Sequence, residues 1–148
     1  MPKLKDEEIL RRARNILYTR VTNGIPLTNS DTVREFLKVR IGTLEHEVFW
    51  TVFLDNQHKV ICMEELFRGT IDGAAVYPRE VVKAALQHNA AAVIFSHNHP
   101  SGVSEPSQAD VAITQRLKTA LSTIDIRVLD HIIIGCGECT SFAERGLI

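Results

Sequence analysis

Ala90 to Phe95 is a run of six residues without a polar side chain, set between a helix-patterned stretch and a polar loop. Six residues are too few for a buried helix, and a strand that is apolar at every position has to be covered on both faces. The neighbouring sequence supplies the covers. Pro78 sits where the first turn of a helix tolerates it and launches Arg79 to His88. Ser107 can cap a helix from Gln108 to about Ser122, with Val111, Ile113, Leu117, Ala120 and Leu121 as its apolar positions.

The other segments alternate in the same way. Lys5 to about Tyr18 repeats Ile9, Leu10, Ala13, Ile16 and Leu17 at helical spacing, the pattern of an amphipathic packing or dimer helix. Asn29 or Ser30 can cap a second helix whose Val33, Phe36, Leu37 and Val39 face inward. His46 to Leu54 is rich in β-branched and aromatic residues, Asp55 to His58 turns the chain, and Lys59 to Phe67 returns it as a hairpin. Gly69 to Val76 is an irregular connection, and Ile126 to Ile134 is a last apolar strand ending at Gly135 before a short tail. Strands alternating with helices predict an α/β fold with helices on both faces of the sheet, made mixed by the opening hairpin.

Composition narrows the function classes. With 148 residues, 45% hydrophobic and 24% charged, the chain has the make-up of one ordinary globular domain, not of a disordered segment. Seventeen basic and eighteen acidic residues leave a net charge of -1, so no overall cationic field holds nucleic acid non-specifically. No apolar run approaches the roughly 20 residues of a membrane span. The start, MPKLKDEEILRRAR, lacks a signal-peptide apolar region, and a cytoplasmic protein is expected. Three cysteines do not make a secreted disulfide framework.

The residues that carry chemistry are Ser96-His97-Asn98-His99-Pro100-Ser101-Gly102 and Pro106-Ser107-Gln108-Ala109-Asp110. His97 and His99 lie two apart at a strand end, where extended backbone points both to one side. Asp110 falls in the first turn of the next helix, and α/β folds place ligands between strand ends and helix starts. Two histidines and a carboxylate are a three-ligand set that leaves one tetrahedral position for water, as catalytic zinc sites do. The same spacing also fits histidines that merely close a strand and a Ser-x-x-Asp that merely caps a helix.

His97-x-His99, seven residues, Ser107, two residues, Asp110 is similar to the JAMM signature of the JAB/MPN metalloenzymes. Longer stretches resemble the RadC-like branch of that superfamily: Leu66 to Ile71, Tyr77 to Val82, His97 to Gly102 and Arg127 to His131. The likeness covers about Asp31 to Gly135. It implies a three-layer α/β/α, cytidine-deaminase-like JAB domain over residues 29–148, preceded by a helical extension over 1–28. It also implies one zinc held by His97, His99 and Asp110, and a glutamate acting on the bound water. That glutamate maps onto Glu47, immediately before Val48-Phe49, although Glu45 shares its parity and alternation cannot separate the two. The implied reaction is metal-assisted hydrolysis of an amide, peptide or isopeptide bond: Glu47 moves the proton and Ser107 steadies the oxyanion, unless its hydroxyl is only an N-cap.

Other signals carry less. Cys136-Gly137-Glu138-Cys139 reads as two ordinary thiols near the chain end, since Cys62 is the only other cysteine. A nucleobase deaminase is disfavoured because His99 occupies the place of the paired glutamate. Asp130-His131 in a strand-like run reads as a satisfied core pair, and Asn98 as a brace for its loop. His46, His58 and His88 fall at element ends, where they are expected to be solvated. The family name carries a DNA-repair association, and relatives commonly hold a helix-hairpin-helix segment ahead of the metallodomain. No glycine-rich hairpin turn is found there in this chain, which with the near-neutral charge weighs against DNA as a partner. A zinc-stabilised interaction module without turnover is the third reading.

Overall fold

The computed structural model describes residues 2–27, 30–69 and 74–148. In chain order the elements are α1 (Pro2–Val21), α2 (Asp31–Ile41), β1 (Val48–Leu54), β2 (Val60–Arg68), α3 (Pro78–Gln87), β3 (Ala92–Asn98), α4 (Gln108–Ser122), β4 (Arg127–Ile134) and β5 (Cys139–Ser141). They form one mixed sheet in the order β2-β1-β3-β4-β5. Among the described residues only β3 and β4 run parallel, and the other pairings are antiparallel.

Period-two alternation sends side chains of the central strands into two cores. Trp50, Val52, Leu54, Ala92 and Ile94 pack with Phe36, Leu37 and Ile41 of α2 on one face. Phe49, Phe53, Val93 and Phe95 meet Val81 and Ala85 of α3 and Leu117 and Leu121 of α4 on the other. The sheet is thus covered on both faces, the α/β arrangement that the alternating pattern requires.

Several local expectations are corrected. β3 begins two residues and ends three residues later than the Ala90–Phe95 run, so His97 and Asn98 belong to the strand and not to the loop. Polar residues can sit there because each finds a partner: Ser96 Oγ, for example, donates to the Ile132 carbonyl at 2.8 Å. Val39 is only half-buried, and Ile41 takes the inward position of α2 instead. Ser30 makes no side-chain cap; its hydroxyl accepts from Arg34 Nε at 2.9 Å, while Asn29 lies outside the described residues. Ile9, Leu10 and Ile16 of α1 are exposed, and Leu17 and Val21 carry its packing onto the α2 face. Helical periodicity marks an apolar stripe but not what covers it. His88 is tied to Glu64 at 2.6 Å, and Nε2 of His46 is buried without a partner, so neither is simply solvated.

The tail is not loose. Asp130, nearly buried on β4, accepts from the backbone N–H groups of His131 (2.7 Å) and Ala143 (2.9 Å) and from Ser141 Oγ (2.6 Å). These bonds fasten β5 and the following turn against the strand that carries His131. Asp130→Ala should lower unfolding free energy by about 3 kcal/mol, because bonds to a charged acceptor are lost and buried donors are stranded. Urea denaturation measures this, and a loss below about 1 kcal/mol would show that Asp130 does not hold the tail.

Candidate metal centre

The centre forms where the C-terminal end of β3 meets the start of β1 and the N terminus of α4. Antiparallel register sets His97 opposite Phe49, on the face that carries Phe95 and α4. The parallel ladder continues one step past β3, because the His99 N–H donates to the Ile134 carbonyl at 2.9 Å. His99 therefore keeps the parity of His97, and the two Nε2 atoms face each other at 2.9 Å.

The loop after His99 is closed by backbone bonds. Gly102 N–H donates to the His99 carbonyl and Cys136 N–H to the Gly102 carbonyl. Gly102 has φ +88°, and a Cβ there would come within 3.0 Å of the Cys136 Cβ. The Cys-x-x-Cys segment is thus the β4–β5 turn that braces this loop, and both its thiols are free. His99 Nδ1 donates to the Val103 carbonyl at 2.8 Å, which fixes the ring from behind.

Asp110 arrives from α4. Ser107 Oγ accepts from the Asp110 N–H (3.0 Å), and Asp110 Oδ2 accepts from the Ser107 N–H (2.9 Å), closing a reciprocal cap. Oδ2 also lies 3.1 Å from His99 Nε2, and Oδ1 lies 3.2 Å from His97 Nε2. Burial opposes ionisation of Asp110, but bonds from the Nε2–H groups that His97 and His99 carry while no cation takes those nitrogens outweigh it and hold the carboxyl far below its usual range. The Asp110 bond in turn raises His99 above the ordinary imidazole value, against its own burial. As a cap, the Ser107 hydroxyl uses only a lone pair. Capping and hydrogen-bond donation therefore do not compete for it, contrary to the sequence expectation.

Glu47 and Glu45 separate cleanly. Glu45 is exposed, whereas Glu47 Oε1 lies 3.8 Å from His97 Nε2 and its Oε2 accepts from the Ala74 N–H at 2.6 Å. Donor atoms of Glu47, His97 and His99 all fall within 4.8 Å of one another. Asn98 points to the opposite face and braces the β1 entry: Oδ1 accepts from the Val48 N–H (2.8 Å) and Nδ2 donates to the His46 carbonyl (3.0 Å).

The sequence pattern makes His131 a core residue, and it is fully buried, yet it bonds directly to the centre. Its Nε2 is 2.7 Å from His97 Nδ1, and its Nδ1 is 2.6 Å from Thr114 Oγ1. Burial pushes its pKa well below the ordinary value. The pairing of His131 with Phe95, one parity step from His97, is the non-local fact that sequence spacing could not supply.

These groups fit a divalent cation. A carbonyl only accepts, so His99 Nδ1 carries hydrogen, and Nε2 is the nitrogen that can give up its hydrogen and offer a lone pair to a cation. Imidazole nitrogens and two carboxylates crowded together need a positive centre. Ligands about 2.0–2.1 Å from a tetrahedral zinc stand ~3.3 Å apart, close to the 2.9–3.2 Å separations among His97, His99 and Asp110. A cavity of about 210 Å³ adjoins the cluster, with Phe49, Val76, Ala109 and Ile113 as apolar walls beside Glu47 and Asp110.

The sequence profile of the RadC-like JAB domain matches residues 27–147. The chain belongs to the RadC-like JAB domain family. It is 61% identical over 139 residues to a UPF0758 protein of Marinobacter nauticus, covering 94% of this chain and 62% of that protein. A UPF0758 protein of Nitrosococcus oceani is 60% identical over 139 residues, with the same coverage. One from Vibrio cholerae is 56% identical over 144 residues, covering 97% of this chain and 91% of the relative. The chain thus spans less than two thirds of the first two relatives. JAB domains include hydrolases, so the RadC-like match directs attention to the His97–His99–Asp110–Glu47 cluster.

Two substitutions test the local supports. Asn98→Ala strands the buried Val48 N–H and should cost about 2 kcal/mol. Ser107→Ala removes the cap and should cost about 1 kcal/mol of stability. Chemical denaturation reads both, and an Asn98→Ala protein as stable as wild type would contradict the bracing role.

Proposed function

We propose that this RadC-like JAB domain is a zinc-dependent hydrolase cleaving an amide, peptide or isopeptide bond. The observation that carries the reading is the convergence of His97, His99 and Asp110 at one point, with a second carboxylate, Glu47, beside them at a cavity. A purely structural ion would have no need of an acid at its open side.

His97, His99 and Asp110 would hold the ion. When bound, zinc supplies a Lewis acid that polarises a carbonyl and lowers the pKa of water towards ~7. Glu47 has one oxygen anchored by the Ala74 N–H, which leaves Oε1 to accept a proton from the attacking water and pass it to the leaving amine. The Ser107 hydroxyl hydrogen is left over from its cap and can be donated to the developing oxyanion. Phe49, Val76, Ala109 and Ile113 keep water from the apolar side of the scissile group. Among the described residues no helix is long and apolar enough to cross a membrane, and three free cysteines fit a reducing, cytoplasmic setting.

Elemental analysis after zinc loading should give about one zinc per chain, lost in His97→Ala, His99→Ala and Asp110→Ala. Against a library of peptides and protein conjugates, Glu47→Gln should keep zinc and lose at least about 100-fold in turnover. Ser107→Ala should lose about 100-fold while retaining the metal. A wild-type chain that takes up no zinc, or a Glu47→Gln protein that cleaves as wild type does, would sink the hydrolase reading.

A further inference from the structure

We propose that Thr114 and His131 are positioning residues that lock the ring of His97 in its Nδ1–H form and so aim a bare Nε2 at the metal centre. This rests on the zinc reading above and follows from five atoms and the hydrogens available to them. Thr114 Oγ1 lies 2.7 Å from the Asp110 carbonyl oxygen and 2.6 Å from His131 Nδ1. His131 Nε2 lies 2.7 Å from His97 Nδ1.

Each contact holds one hydrogen, and one end of the chain is fixed. A carbonyl oxygen can only accept, so the Thr114 hydroxyl hydrogen points to Asp110. The hydroxyl then meets His131 with a lone pair, which places a hydrogen on His131 Nδ1. A neutral His131 has a bare Nε2, which accepts, and the hydrogen of that contact belongs to His97 Nδ1. With that hydrogen fixed on Nδ1, the bare nitrogen of a neutral His97 is Nε2, which faces His99 and Asp110; any hydrogen that Nε2 shares with the Asp110 carboxylate is the one a cation displaces. With the opposite order, an N–H would point into the cluster and oppose any cation there.

The surroundings hold His131 neutral. It has no solvent exposure and lies among Phe49, Phe95 and Phe142, with ring centroids 5.6, 6.0 and 4.8 Å away. Its ring bonds to His97 and Thr114, and among the described residues no carboxylate oxygen bonds to it. Thr114 lies one turn after Asp110 in α4, so the turn that delivers the acid through its side chain also sets the histidine tautomer through its backbone carbonyl. Groups behind a metal-ligating histidine fix its orientation and basicity in this way, and losing one costs about 10- to 100-fold in metal affinity.

Thr114→Val keeps the shape and removes the hydroxyl; Thr114→Ser restores it. In the metal-free protein at alkaline pH, nitrogen NMR of the histidine rings should show Nδ1–H on both His131 and His97. In Thr114→Val both rings should move to Nε2–H, because His131 Nδ1 has lost its acceptor. Zinc affinity, measured by chelator competition, should fall about 10- to 100-fold in Thr114→Val and stay within about threefold of wild type in Thr114→Ser. Wild type with Nε2–H on either ring, or a Thr114→Val protein unchanged in both tautomer and affinity, would overturn the inference. Failure of wild type to bind zinc would instead remove the hydrolase reading, while the ring tautomers still decide the order of the hydrogens.

Discussion

The β3–β4 ladder does not stop where the apolar sequence does. It runs through Ser96, His97 and Asn98, and the His99 amide adds a further rung to the Ile134 carbonyl. That extension keeps the backbone straight across both histidines, and a straight backbone is what makes residues two apart point the same way. Asn98, between them, points to the opposite face and ties down the entry of β1, which brings Glu47 alongside. One stretch of extended backbone thus sets the relative positions of His97, His99 and Glu47, and the reciprocal Ser107–Asp110 cap brings the fourth side chain from α4.

Holding these polar groups together in a half-buried place is costly unless each is satisfied. The structure meets the cost from behind the cluster: Val103 for His99, His131 and Thr114 for His97, Ser107 for Asp110, Ala74 for Glu47. On the front, the Nε2 atoms of both histidines and the carboxylate oxygens face one another. A cation is the natural complement of that front, and the adjoining cavity gives a substrate access to it.

Much of this was legible in the sequence for identifiable reasons. The i, i+2 histidines and the first-turn aspartate depend on local geometry, and α4 has the bounds its capping pattern implies. The choice of Glu47 over Glu45 came from the family resemblance and was not legible in the alternation, because both have the same parity and distant partners distinguish them: Gly69 N–H on the Glu47 carbonyl and Ala74 N–H on its side chain. His131 was hidden for a related reason. A histidine in an apolar strand looks like any buried one until the β3–β4 register shows which residue lies beside it. The end of β3 was misplaced because apolar periodicity records burial by carbon, whereas Ser96 and Asn98 are buried through hydrogen bonds. β5 escaped notice because three residues carry no period.

The proposed zinc belongs to His97, His99 and Asp110 and to no cysteine. X-ray absorption at the zinc edge of the stoichiometrically loaded protein addresses it directly. A four-coordinate shell of nitrogen and oxygen at about 2.0–2.1 Å with the outer-shell scattering of two imidazoles is expected. A sulfur neighbour at about 2.3 Å would place the zinc at Cys62, Cys136 or Cys139 and contradict it.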